Sequence, residues 1–275
     1  MLLKTITKII YDQLVKIKWL ENPINLENRK VLELYEKGIV KLDKNFQNFA
    51  EYLKFNYIEN IISKNSINCP FKIFDNGSDN KSKLVNHFLS IDDTEIKKFI
   101  LDKDIIFILN SIFNNNLYLR NDPLLQVLKT EDKIFMTNGQ FHTDRFMQYS
   151  LMLLIEDVSE QITHMEYMET SHKRKPYDLI IHKNFAESQK YIVNNNFTSK
   201  KLIGKKGDVF IFNTTGIHRA KYIEKSQRSI FHLNFTNGHN LYPYKIKPVS
   251  IITDKIFLRQ DKGLKFTDSG WKFFF

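Results

Sequence analysis

The chain has 275 residues, 42% hydrophobic and 26% charged, which is a globular composition that excludes wholesale disorder and leaves ample material for a core. With one cysteine, Cys69, an internal disulfide and a thiolate metal site are both excluded, so a reducing, cytoplasmic setting is expected. The net charge is +10, but the lysines are spread along the chain with no dense basic tract, so nucleic-acid binding is not expected.

At the N-terminus, Ile6, Ile9, Ile10, Leu14 and Ile17 recur at helical spacing with lysines between them. This predicts an amphipathic helix that packs on the protein's own core rather than on a membrane surface. No signal peptide and no spanning helix are expected. A second helix is predicted over Leu26–Glu36 and ended by Gly38, followed by a short strand, Gly38–Leu42. Asn45–Ile62 returns to helical spacing, and the polar stretch Asp75–Lys83 reads as a surface loop. Asp92 or Asp93 is placed to cap a further helix toward Phe99.

From about Leu117 the pattern changes to short apolar or alternating runs: Lys133–Met136, Tyr149–Ile155, Met165–Met168, Leu179–Ile181, Val209–Phe212 and Ser229–Phe235. In the last run Ile230, His232 and Asn234 share one face, and Phe231, Leu233 and Phe235 the other. Many short strands without long intervening helices predict an antiparallel barrel or jelly roll.

Within this half lies one constellation with chemical content. His142 and Asp144 are separated by one residue, so in extended chain both point to the same side while Thr143 points away. His218 follows the run Gly207–Phe212 and a turn, Asn213–Gly216, and Arg228 lies further along, just before the run Ser229–Phe235. Two imidazoles and one carboxylate suit a mononuclear non-haem iron that keeps open positions. The arginine offers a planar, permanently charged fork to a carboxylate-bearing cosubstrate. Spacing alone leaves the alternative open that His142 and Asp144 are a surface hydrogen-bonded pair and that His218 caps a turn.

Four segments give the sequence a resemblance to the phytanoyl-CoA dioxygenase family of Fe(II)/2-oxoglutarate oxygenases. They are Phe141–Asp144 (FHTD), Ile155–Lys173 with its SHK ending, Lys205–Arg228 with GDVFIF, a turn, His218 and the arginine, and more weakly Glu33–Lys44. The resemblance implies an α+β architecture, a double-stranded β-helix core with the N-terminal helices packed outside. One catalytic domain over 1–275 is expected, because no linker divides the two halves, with a helical part to about 115, a jelly-roll core over about 116–245 and an extension over 246–275. By the same resemblance His142, Asp144 and His218 would bind Fe(II), and Arg228 would bind 2-oxoglutarate. Gln126, Ser150 and Met152 are candidates for the cosubstrate cavity by position only.

The implied activity is hydroxylation of a small-molecule metabolite or biosynthetic intermediate with O2, giving succinate and CO2. Asp144 stands where a halogenase would have a small residue, so it speaks for hydroxylation over halogenation. A carrier-linked acyl substrate, an acidic substrate drawn by the HKRK run at His172–Lys175, and a non-catalytic jelly-roll binding protein are the alternatives. Departures from the family pattern are Ile162-Thr163, Glu169-Thr170 and Ala220, the last in place of a frequent hydroxyl residue. His172 is expected to support a loop; His164 and His232 are left between pocket and core.

Overall fold

The computed structural model describes residues 25–59, 83–113, 117–119, 122–130, 139, 141–144, 148–173, 191–192, 194–236, 249–252, 255–256, 264–267 and 270–273. The stretch Ile6–Ile17, the runs Lys133–Met136 and Leu179–Ile181, and the loop Asp75–Lys83 apart from Lys83 lie outside these residues.

Helix α1 spans Arg29–Lys37. Its first amides are satisfied by the Asn28 side chain, which accepts from Lys30 and Val31 N–H. It stops at Gly38, whose left-handed φ of 79° lets its N–H reach the Leu34 carbonyl. Only glycine fits this position for a second reason: a Cβ there would strike the Tyr167 hydroxyl and the His172 ring. Strand β1, Ile39–Lys41, follows directly. Helix α2, Gln47–Leu53, runs into a π-helical turn at Lys54–Ile58, so the helical stretch expected from Asn45 is present but changes its winding.

The chain re-enters as strand β2, Lys83–Phe88, where the sequence offered only the end of a loop. Helix α3, Thr94–Ile100, is capped by the Asp93 carboxylate, which accepts from Glu95 and Ile96 N–H. Helix α4 covers Lys103–Phe113. Strands β3 (Tyr118–Leu119), β4 (Leu124–Thr130), β5 (Tyr149–Leu154), β6 (His164–Met168), β7 (Ser199–Leu202), β8 (Val209–Asn213), β9 (His218–Lys221) and β10 (Ser226–Thr236) follow. Four short strands, β11 (Val249–Ile252), β12 (Lys255–Ile256), β13 (Leu264–Thr267) and β14 (Gly270–Phe273), complete the order.

Two antiparallel sheets form the core. The larger runs β1–β8–β5–β10, with β10 flanked on its other side by β4 and then β2 along its first half, and by β3 and β11 at its end. The smaller is β7–β6–β9. From β5 onward the chain crosses between the sheets, with β5 in the larger, β6 and β7 in the smaller, β8 in the larger, β9 in the smaller and β10 in the larger, as in a double-stranded β-helix.

The large sheet has two apolar faces. On the outer face Leu125, Val127, Tyr149, Leu151, Leu153, Val209, Ile211, Phe231, Leu233 and Phe235 pack beneath the helices. Phe49 and Phe99 stack at 4.4 Å and Phe231 meets both edge-on at 5.4 and 5.6 Å. On the inner face Ile39, Met152, Leu154, Phe210, Phe212 and Ile230 meet Tyr167 and Leu202 of the small sheet. Each large apolar side chain buried this way contributes about 1.5–3 kcal/mol. Among the described residues no helix is long and apolar enough to cross a membrane.

Candidate metal centre

Strand β9 begins at His218, and the segment Phe141–Asp144 lies against its start. His142 and His218 exchange both backbone hydrogen bonds, each at 2.9 Å, and the Asp144 N–H reaches the Thr214 carbonyl at 2.9 Å. These bonds hold the HTD segment in extended chain, so His142 and Asp144 point to one side. The two imidazole rings lie 4.4 Å apart between centroids. One ligand atom from each of His142, Asp144 and His218 lies within 4.8 Å of the others. The three side chains come together across the long gap in sequence, on the inner side of the barrel.

The supporting contacts orient these donors. His218 Nδ1 sits 2.9 Å from the Gly216 carbonyl, which can only accept, so Nδ1 carries the proton and Nε2 keeps its lone pair. Gln148 Nε2 donates to Asp144 Oδ2 at 3.0 Å. The turn before His218 is fixed by Asn213, whose side-chain oxygen accepts from the Thr215 amide and hydroxyl. Gly216 has no room for a side chain, because a Cβ would enter the Tyr167 phenol, which itself donates to the Asn213 carbonyl.

The SHK segment acts at the same place from outside. Ser171 Oγ accepts from the Ile217 amide at 2.7 Å and donates to the Met168 carbonyl, tying β6 to the residue before His218. His172 Nε2 donates to the Tyr35 carbonyl at the end of α1. The expectation that His172 supports a loop agrees with this geometry. His164 opens β6 with its Nδ1 near the Ile162 carbonyl, on the face away from His218 beside Glu166, which pairs with Arg219.

Arg228 lies inside β10, not ahead of it, because the β4 ladder extends the strand back to Ser226. It shares the inward face with Ile230, His232 and Asn234. Its guanidinium is buried, with the residue 4% exposed, and donates to Gln126 Oε1 at 3.3 Å. Gln126 in turn donates to Asn86 of β2. Arg228 Nε has no hydrogen-bond partner, and no carboxylate of the described residues forms an ion pair with it. Burial pushes its pKa down to about 10, with Tyr222 and Glu156 opposing, so it stays charged at neutral pH.

Ser150 and Met152 also face inward from β5. Ser150 Oγ is engaged by Asn234, and Met152 is buried in the inner apolar cluster. His232 pairs in register with Met152 on one side and Leu124 on the other. Burial pushes its pKa down to about 4, opposed by the Asp144 carboxylate and reinforced by Arg228 and His218. The signal in the sequence for this placement is the alternation from Arg228 through Ile230 to His232.

No protein-family model and no curated protein sequence matches the chain. Solved structures do. The non-heme alpha-ketoglutarate-dependent carbocyclase SnoK from nogalamycin biosynthesis is 16% identical, with a TM-score of 0.54 over 79% of this chain and 87% of that one. EctD from S. alaskensis with 2-oxoglutarate and 5-hydroxyectoine is 13% identical, with a TM-score of 0.56 over 80% and 78%. The epimerase SnoN, in complex with Fe3+, alpha-ketoglutarate and nogalamycin RO, is 14% identical, with a TM-score of 0.52 over 76% and 83%. The chain therefore has the jelly-roll fold of the non-heme, 2-oxoglutarate-dependent enzymes.

Proposed function

We propose that this protein is an Fe(II)/2-oxoglutarate-dependent oxygenase that hydroxylates a small molecule in a cytoplasmic setting. The observation that carries the reading is the pairing, within one barrel, of a two-histidine, one-carboxylate cluster with a buried arginine that has no carboxylate partner. A lone buried charge costs several kcal/mol and persists where a ligand completes it. The donor set fits Fe(II), and the arginine fits the remote carboxylate of a keto diacid.

His142, Asp144 and His218 would hold the metal through two nitrogens and one oxygen. Arg228, steadied by Gln126, would anchor 2-oxoglutarate. When bound, iron and keto acid supply oxidising power from O2 for attack on a C–H bond, with succinate and CO2 released. The chain's own part is positional. The Gly216 carbonyl sets the tautomer of His218, Gln148 holds Asp144 in orientation, and the apolar inner face excludes water. Asp144 would give the metal a carboxylate where the resemblance gives halogenases a small residue, which supports hydroxylation. SnoK and SnoN are named as a carbocyclase and an epimerase, so the fold also serves other outcomes.

The test is succinate formation from 2-oxoglutarate with added Fe(II), scanned against small metabolites. Turnover in the wild type and its loss in Asp144→Ala is the expected result. A protein with no iron affinity and no succinate under any condition is a binding protein on a jelly-roll scaffold, and the proposal fails.

A further inference from the structure

Strand β10 sends three polar side chains into the barrel: Arg228, His232 and Asn234. Two of them are engaged by the protein, Arg228 by Gln126 and Asn234 by Ser150. His232 is different. Neither ring nitrogen has a hydrogen-bond partner among the described residues. The residue also keeps accessible surface, although β4 and β5 flank it on both sides. A polar group in the inward row of β10 that keeps accessible surface and has no partner among the described residues is a place for a ligand.

Its position says which ligand. Strand β9 leads from His218 to the short connection at 222–225, and β10 returns from Ser226. Arg228 stays near that connection, whereas His232, four residues on and roughly 13 Å along the strand, comes back toward His218. The electrostatic surroundings agree, since Asp144, Arg228 and His218 all act on the ring. A keto diacid anchored at Arg228 and directed at the metal cluster would pass His232. In either tautomer the imidazole offers one N–H donor.

We propose that His232 donates a hydrogen bond to the oxo-acid end of 2-oxoglutarate and so sets how the cosubstrate lies between Arg228 and the His142–Asp144–His218 cluster. This rests on the oxygenase reading above. It makes His232 a cosubstrate-binding residue, and it does not depend on the prime substrate.

Calorimetric titration of 2-oxoglutarate into Mn(II)-loaded full-length protein, with no prime substrate present, tests it without turnover. His232→Ala should weaken 2-oxoglutarate by about tenfold and leave Mn(II) affinity unchanged, the loss expected for one hydrogen bond to a charged group. His232→Gln, which retains an N–H donor, should recover most of the affinity, and it serves as the folded control. If His232→Ala binds 2-oxoglutarate like the wild type while Arg228→Ala does not, this inference is overturned and the oxygenase reading stands. A parallel loss of Mn(II) also overturns it, since the residue then acts on the metal. If the Mn(II)-loaded wild type takes up no 2-oxoglutarate, both fall together.

Discussion

The two faces of β10 use the same backbone for opposite purposes. Outward, Phe231, Leu233 and Phe235 are fully buried against the helices and the rest of the outer core. Inward, Arg228, His232 and Asn234 alternate with them and bring charge and hydrogen-bonding groups into the barrel. The ladders to β4 and β5 hold both sets at once, because the alternation of a strand ties each face to the other. An apolar outer face worth about 1.5–3 kcal/mol per large side chain offsets the cost of burying the Arg228 charge on the inner face. The lesson is a division of labour within one strand: stability comes from the odd positions, and the proposed ligand chemistry from the even ones.

Substitutions can break this division. The largest effect on chemistry is expected at the metal cluster. Asp144→Ala should abolish metal-dependent succinate formation by more than about a hundredfold, beyond the loss usual for groups that merely support a ligand, while thermal unfolding of the metal-free protein changes little. A large drop in the melting temperature of that metal-free protein would show that Asp144 is structural.

On the outward face the balance reverses. Phe231→Ala should cost about 3–5 kcal/mol in denaturant unfolding, because the ring fills the junction between Phe49 and Phe99. A cost below about 1 kcal/mol would mean that the helices are not anchored there.

Arg228→Met sharpens the contrast. It removes an unpaired buried charge, so the ligand-free protein should gain about 1 kcal/mol or more while 2-oxoglutarate binding is lost. Destabilisation with binding retained would reverse the assignment of that face.

The smallest effect concerns pH. His164 lies away from the ligands, and burial depresses its pKa; the Ile162 carbonyl and Glu166 oppose this and Lys221 and Lys201 reinforce it. The unfolded chain then takes a proton below the ordinary value of 6.5 that the folded chain refuses. The stability tied to His164 is complete above that value and is lost as the pH falls below it. Melting the metal-free protein at neutral and mildly acidic pH should show a shallower pH slope in His164→Gln than in the wild type. Equal slopes would exclude the contribution.

Much of the frame is legible in the amino-acid sequence. Gly38 as the end of α1, Asp93 as the cap of α3, and the runs over Tyr149–Ile155, Val209–Phe212 and Ser229–Phe235 depend on local rules that tertiary contacts do not override. Strand β2 is not legible, because Lys83–Phe88 pairs with β4 through long-range hydrogen bonds and carries Asn86 to Gln126. The start of β10 is hidden for the same reason: Ser226–Arg228 has no strand-like composition, and the β4 ladder makes it strand. The clamp formed by Gly38, the Tyr167–Ser171 stretch and Gly216 around the turn before His218 joins three segments far apart in the chain, and no spacing rule reports it.

The sequence by itself determined which residue types were available for chemistry and which side of its own strand each would face. His142 and Asp144 share a side because extended chain alternates, and Arg228 and His232 share one for the same reason. Only the tertiary structure decided that these sides meet. The paired backbone hydrogen bonds between His142 and His218 join segments far apart in the chain, and the burial that leaves Arg228 without a carboxylate depends on which strands lie next to β10. Periodicity reports a face, whereas a site needs a partner, and partners are chosen by pairing and packing across the whole fold.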